Sequence, residues 1–271
     1  MVDFSNQIIT SASNPLLKQI RRSLTRGSLT DHGLMVTESI HLLREAMRSK
    51  LDIPTVVVAA SARHVLDSYL SDLSTARLMV VSDVLFEKTV STESSRGIMA
   101  LVKPPVWDMD DLFFGQSFVV ALDCIQDPGN AGAIMRSAEA FGGTGVIFLS
   151  GAVSPFNSKL SRASAGSVFR IPFVYGLDGD LACKVFRQKK VQILAAVPRA
   201  RMQLRQYDLG QPTVLLIGSE GQGISKSFQR TARKVCIPTT SVESLNAATA
   251  AGILLYESAC VRKEKSDDAR F

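Results

Sequence analysis

The chain has 271 residues, of which 46% are hydrophobic and 21% charged, a balance that excludes wholesale disorder and suffices for one large or two ordinary domains. No run of about 18 apolar residues occurs, which excludes a membrane-spanning helix, and Met1-Val2-Asp3-Phe4 lacks a basic segment leading into an apolar core, so a cytoplasmic protein is expected. A net charge of +6 favours a polyanionic partner without demanding one.

In chain order, residues 14–24 set Leu16, Leu17, Ile20 and Leu24 at helical spacing, and residues 39–47 do the same with Ile40, Leu43 and Met47. Short β-branched runs predict strands at 34–36, 55–59, 78–81 and 98–102. Residues 1–104 therefore read as a small α/β domain. Its first helix carries Lys18, Arg21, Arg22 and Arg26, a basic group able to track phosphates or simply to form a solvated face. The run K-P-P-V-W-D at 103–108 breaks any regular element, and 105–117 is read as a linker.

From 118 to 271 five apolar runs, 118–122, 145–149, 191–197, 213–217 and 234–237, alternate with segments able to form helices. That alternation predicts parallel strands covered by helices on both faces. The mixed charges of 263–270 read as a frayed terminus.

Ligands of parallel sheets sit beyond the carboxyl ends of the strands, and three glycine-bearing polar stretches follow apolar runs here. In the first, Asn130 precedes a helix whose apolar face holds Ala131, Ile134, Ala138 and Phe141, so it is read as an N-cap. Arg136 falls off that face, where a guanidinium is either solvated or meets a phosphate or carboxylate. The second, G-S-E-G-Q-G at 218–223, has neither Rossmann spacing nor a P-loop lysine; it offers close backbone approach and one carboxylate, Glu220. In the third, Ser244 or Asn246 caps a helix of small residues. Cys124, Cys183, Cys236 and Cys260 are far apart, and His32, His41 and His64 lie near the other end, so neither a zinc site nor a disulfide framework is expected; the cysteines read as small, reduced core residues.

Three motifs in this order, D-P-G-N-A-G-A-I-M-R-S-A at 127–138, I-G-S-E-G-Q-G-I-S at 217–225, and I-P at 237–238 followed by E-S-L-N-A-A-T-A-A-G at 243–252, closely resemble the SpoU/TrmH RNA ribose methyltransferases of the SPOUT superfamily. The resemblance covers 118 to about 261. More loosely, I-T-S-A-S-N-P-L-L-K at 9–18 and V-T-E-S at 36–39 resemble the family's small substrate-binding domain, related to a ribosomal RNA-binding protein. The resemblance implies an α/β fold with a SPOUT-type parallel sheet, a C-terminal trefoil knot and a homodimer packed through the first-motif helix and the last helix. It implies transfer of a methyl group from S-adenosylmethionine to a ribose 2′-hydroxyl in structured RNA, ribosomal RNA first, with no metal. Transfer RNA, a ribosomal site that protects against an antibiotic, or a non-catalytic role in ribosome assembly are the alternatives. Cofactor contacts would fall on Gly218, Ile237 and Leu245 with the backbone near Ala195 and Ala196, catalytic positions on Asn130, Arg136, Glu220, Ser244 and Asn246, and RNA contacts on Lys18, Arg21, Arg22 and Arg26. A guanidinium holds its proton in neutral water, so Arg136 is assigned first to the RNA phosphate and 2′-oxygen and second to proton acceptance, while Glu220 orients Arg136 or Asn130. Two departures stand out: Asp127 occupies a position where many relatives have asparagine, and five residues rather than six separate Pro238 from Ser244.

Overall fold

The computed structural model describes residues 8–69, 73–92 and 95–268, with side chains to 264. The chain divides into two units, Met1–Val106 with Phe156–Phe169, and Trp107–Pro155 with Arg170–Phe271.

The first unit opens with α1 (Pro15–Arg26). Asn14 accepts the N–H groups of Leu16 and Leu17, proline supplies the first helical residue, and Gly27 ends the helix at φ 60°. Then follow β1 (Met35–Thr37), α2 (Ile40–Arg48), β2 (Thr55–Ala59), a 3₁₀ stretch Ala60–Tyr69, β3 (Arg77–Val81), α3 (Asp83–Glu87) and β4 (Ile98–Val102). The sheet order is β1-β4-β2-β3, with β4 antiparallel to both neighbours and β2 parallel to β3. The strands read from sequence fall within a residue of these, because every residue of β1, β2 and β4 is buried and only apolar or β-branched types stand there.

The second unit contains α4 (Met109–Leu112), β5 (Phe118–Asp123), α5 (Pro128–Ala140) and β6 (Gly145–Leu149). After the inserted segment come β7 (Phe173–Leu177), α7 (Gly179–Gln188), β8 (Gln192–Ala196), β9 (Thr213–Gly218), α8 (Lys226–Gln229), β10 (Arg233–Val235) and α9 (Ala247–Asp268). Its six strands run parallel in the order β10-β8-β9-β5-β6-β7. The ends of β5, β8, β9 and β10 therefore share one edge of the sheet.

Four features depart from the sequence reading, the simplest being that α9 runs to Asp268 through the stretch 263–270 read as a frayed terminus. β7 has no counterpart among the five apolar runs: it is an edge strand, preceded by Pro172 and interrupted by Gly176 at φ 74°, and only Phe173 in it is buried. Within the stretch read as a linker, α4 is closed by a capping box from Asp108, and Leu112 is wholly buried where a Cβ on Gly145 would collide with it. The segment 156–169, placed by sequence in the second domain, belongs to the first unit. Its helix α6 (Ser158–Ala163) carries Arg162, whose guanidinium donates at 2.8 Å to the fully buried Glu38; Ser91 donates both its N–H and its hydroxyl to the same carboxylate at 2.5 Å. A partner 124 residues away leaves no periodic trace in the chain.

Within the second unit α5 packs on α9. Ala131, Ala138, Ala247 and Ala251 of these two helices are buried within the one chain. Arg262 anchors the pair, donating to the carbonyls of Phe141 and Gly142 at 3.2 and 3.3 Å and lying 4.9 Å from the centre of the Phe118 ring.

Candidate active site

The site is built where three strand ends meet loops. At the end of β5, Asp123 is buried and accepts the Ser225 N–H at 2.6 Å, pinning the far side of the G-S-E-G-Q-G loop. The loop closes on itself through Gly223 N–H to the Ser219 carbonyl at 2.9 Å and Gln222 N–H to the Ser219 hydroxyl at 3.2 Å. This folding back explains Gly218: a Cβ there would lie within 3.0 Å of the Gly223 carbonyl and 2.8 Å from the Ile224 nitrogen.

The loop presents Glu220 to two asparagines distant in sequence. Asn246 leads α9, and its Oδ1 accepts the N–H groups of Ala248 at 2.9 Å and Thr249 at 3.2 Å. That capping fixes the amide, so its Nδ2 must face the other way, where it donates to Glu220 Oε1 and Asn130 Oδ1, each at 3.0 Å. With its oxygen engaged, Asn130 turns its own Nδ2 toward Glu220 Oε1 at 3.5 Å, and Ala247 N–H approaches the same oxygen at 3.3 Å. The carboxylate thus gathers two amides and a helix N-terminus, the end of a helix that favours negative charge.

Asn130 is not the N-cap of α5. Asp127 takes that position, accepting the Asn130 N–H at 2.7 Å, with Pro128 as the first helical residue. Asparagine would make the same cap, so the Asp127 departure leaves the turn intact and frees the Asn130 side chain for Glu220.

Beside this triad lies a cavity of about 340 Å³. Ala196, Ile217, Ile237, Leu245 and Leu254 give it apolar walls, Gly218, Gly221 and Gly223 expose backbone, and Glu220, Glu243 and Ser244 stand at it. Four sequence-derived cofactor positions, Ala196, Gly218, Ile237 and Leu245, line it. Ala195 does not: its side chain is wholly buried in the core formed by the sheet with Phe186 and Phe228, because neighbouring strand residues face opposite ways. The short loop after Pro238 still brings Leu245 to the wall.

Arg136 stands apart. It is exposed on α5, and among the described residues no acceptor holds its guanidinium; Glu220 orients the asparagines and not this arginine. In the first unit Lys18, Arg22 and Arg26 are exposed at four-residue intervals along one face of α1, whereas Arg21 is half-buried and donates to the Thr89 hydroxyl at 3.3 Å. Arg22 has Asp31 at 3.4 Å. The four cysteines are free and half-buried rather than core residues; burial pushes the Cys124 and Cys183 thiols up, with the carboxylates of Asp123 and Asp180 adding to the shift. Among the described residues no group of three or more His, Cys, Asp or Glu side chains is placed to hold a metal ion. Asp123 escaped sequence reasoning, although it sits at a strand end where a role in the site is legible.

A model described as the SpoU rRNA methylase family matches residues 117–256, the stretch that contains the cavity, Asn130, Glu220 and Asn246. The chain belongs to the SpoU rRNA methylase family. It is 33% identical over 255 residues to an uncharacterized tRNA/rRNA methyltransferase of Synechocystis, covering 92% of both chains. It is 28% identical over 253 residues to the 23S rRNA (guanosine(2553)-2′-O)-methyltransferase RlmP of Bacillus subtilis, covering 92% of this chain and 97% of that one. The SpoU methyltransferase AviRb from Streptomyces viridochromogenes, solved in complex with the cofactor AdoMet, superposes with a TM-score of 0.80 at 25% identity, covering 92% of this chain and 98% of AviRb.

Proposed function

We propose that this SpoU-family enzyme methylates a ribose 2′-hydroxyl of ribosomal RNA in the cytoplasm, with S-adenosylmethionine in the cavity and the ribose at the Asn130–Glu220–Asn246 group. The observation that carries this reading is that Glu220 both lines the cavity and accepts from the two asparagines. A hydrogen-bonded polar cluster at the edge of an apolar cavity can hold a reacting hydroxyl next to a bound nucleoside. The cavity fits the cofactor: its volume lies within the range of about 300–1,000 Å³ usual for small-molecule sites, its walls suit an aromatic base, and at Gly218 the backbone is bare. When bound, the cofactor supplies a methyl group on a cationic sulfur.

The protein's own part is positioning and charge. In-line transfer needs the attacking oxygen about 3–3.5 Å away and aligned, which a fixed amide array provides. Asn246 cannot rotate without losing its two backbone donors, and Glu220 cannot move without leaving three. Arg136, whose guanidinium has no acceptor among the described residues, meets the RNA phosphate and stabilises the 2′-oxygen as its proton passes to solvent water and the methyl–sulfur bond breaks to leave a neutral thioether. Lys18, Arg22 and Arg26 dock the RNA through phosphates, and Ser244 borders the cofactor.

The insertion of β9 between β8 and β5 supports the trefoil knot implied by the family resemblance. Ile253 and Tyr256, 40% and 59% exposed on α9, are apolar surface that supports a homodimer.

The test is incubation with methyl-labelled S-adenosylmethionine and ribosomal RNA, followed by nucleoside analysis. Label is expected on ribose, and Arg136→Ala should lower the rate roughly 10²-fold or more while RNA binding persists. Absence of ribose methylation with folded protein on ribosomal and transfer RNA would overturn the reading. Label on transfer RNA alone would replace the substrate class.

A further inference from the structure

On α5, Arg136 and Glu139 are three residues apart, which makes them neighbours on the helix surface with Cβ atoms about 5–6 Å apart. Opposite charges at that spacing attract each other. Glu139 is instead held from outside the helix: Arg170 donates from Nε to Oε1 at 2.5 Å and from Nη2 to Oε2 at 3.0 Å. Such a two-point fork is the strongest geometry open to an arginine and a carboxylate, and neither partner is deeply buried, with side-chain exposures of 36% and 31%.

Arg170 is well placed to hold that carboxylate. It stands directly before Ile171, which is 3% exposed, and Pro172, whose carbonyl accepts the Val146 N–H at 2.9 Å from β6. The backbone that carries the guanidinium is thereby tied to the central sheet. Arg136 remains exposed with no acceptor among the described residues.

We propose that Arg170 is a positioning residue for Arg136: by engaging both oxygens of Glu139 it keeps that carboxylate from pairing with Arg136 and leaves the guanidinium available to RNA. The inference rests on the reading of Arg136 given under Proposed function. Without Arg170, the Glu139 charge would fall beside Arg136, neutralise it and repel the incoming phosphate. The pair thus acts as a local charge filter on α5, and its effect is confined to the RNA side of the reaction.

The experiment measures methylation kinetics on ribosomal RNA for Arg170→Met, Arg170→Lys and the double variant Arg170→Met/Glu139→Gln. Arg170→Met is expected to lower kcat/KM for RNA about three- to fivefold, more strongly at low salt, with affinity for S-adenosylmethionine unchanged. Arg170→Lys, keeping charge but only one contact, should fall between. The double variant should return to within about twofold of the parent, because the intrusive carboxylate is gone. Wild-type kinetics in Arg170→Met overturn the proposal, as does a double variant no better than the single. The latter would mean that Arg170 touches RNA itself or only supports the fold, and thermal unfolding of the three proteins separates those cases. If Arg136→Ala retains full activity, the underlying reading of the site fails instead.

Discussion

Replacing Gly218 with alanine puts the loop architecture to its most direct test. The added methyl would sit 2.8 Å from the Ile224 nitrogen and inside 3.0 Å of the Gly223 carbonyl, whereas ordinary contact begins at 3.4 Å, so the chain must give by about 0.6 Å at Ile224 and further at Gly223. The loop has little freedom to do so. Ser225 is pinned to the buried Asp123 at 2.6 Å, Gly223 to Ser219 at 2.9 Å, and Gly218 itself is in register with Asp123 in the sheet. The displacement therefore passes to Glu220, two residues along, and through it to Asn130 and Asn246. A misplacement of the order of 1 Å at reacting groups costs about 10²-fold in rate, while crowding of this size costs about 1–3 kcal/mol in stability. Methyl transfer by Gly218→Ala is expected to fall roughly 10²-fold, with weaker cofactor binding by titration calorimetry and a thermal unfolding temperature only modestly reduced. Activity and cofactor affinity within about twofold of the parent would refute the argument that this backbone, and the cavity it borders, are matched to the reaction.

Two further outcomes follow from charged groups outside the site. The Ser61 hydroxyl at 2.6 Å and its N–H at 3.2 Å hold the Asp83 carboxyl below its usual value of 3.8. A carboxyl depressed in the folded state stabilises fully above its unfolded value and loses that contribution as pH falls through the lower folded one. The urea midpoint of the parent should therefore drop on acidification below 3.8, and Asp83→Asn should show a shallower drop; parallel curves would remove Asp83 from the explanation. Arg262→Ala removes two hydrogen bonds to the end of α5 and the contact with Phe118, for an expected loss of about 2 kcal/mol by chemical denaturation; a change below about 0.5 kcal/mol would show that α9 is held on α5 by apolar packing alone.

Legibility followed burial. β5 and β6 are wholly buried and β9 is buried up to Gly218, and apart from Asp123 at the end of β5 and Thr213 at the start of β9 only apolar residues and glycine stand in them, so they read as apolar runs. β7, half-exposed at the sheet edge, carries no such run. The cap of α5 was read one turn too late, at Asn130, because asparagine and aspartate are both good caps and only coordinates show that Asp127 accepts the N–H. Of the residues the resemblance assigned to the cofactor, Ala196, Gly218, Ile237 and Leu245 line the cavity, and the structure distinguishes Ala196 at the wall from Ala195 in the core by the alternation of the strand.

The sequence by itself determined five of the six strands of the parallel sheet, the strands of the first unit and the three loops, since each depends on local periodicity, on glycine where a side chain cannot fit, or on residues that follow a strand. Which groups meet beyond the strands was decided only by the tertiary structure. Glu220 joins Asn246 across 26 residues and Asn130 across 90, and Glu38 reaches Arg162 across 124. Such pairs form because a buried or converging carboxylate requires donors from whatever segment the fold brings near, and that requirement has no period along the chain.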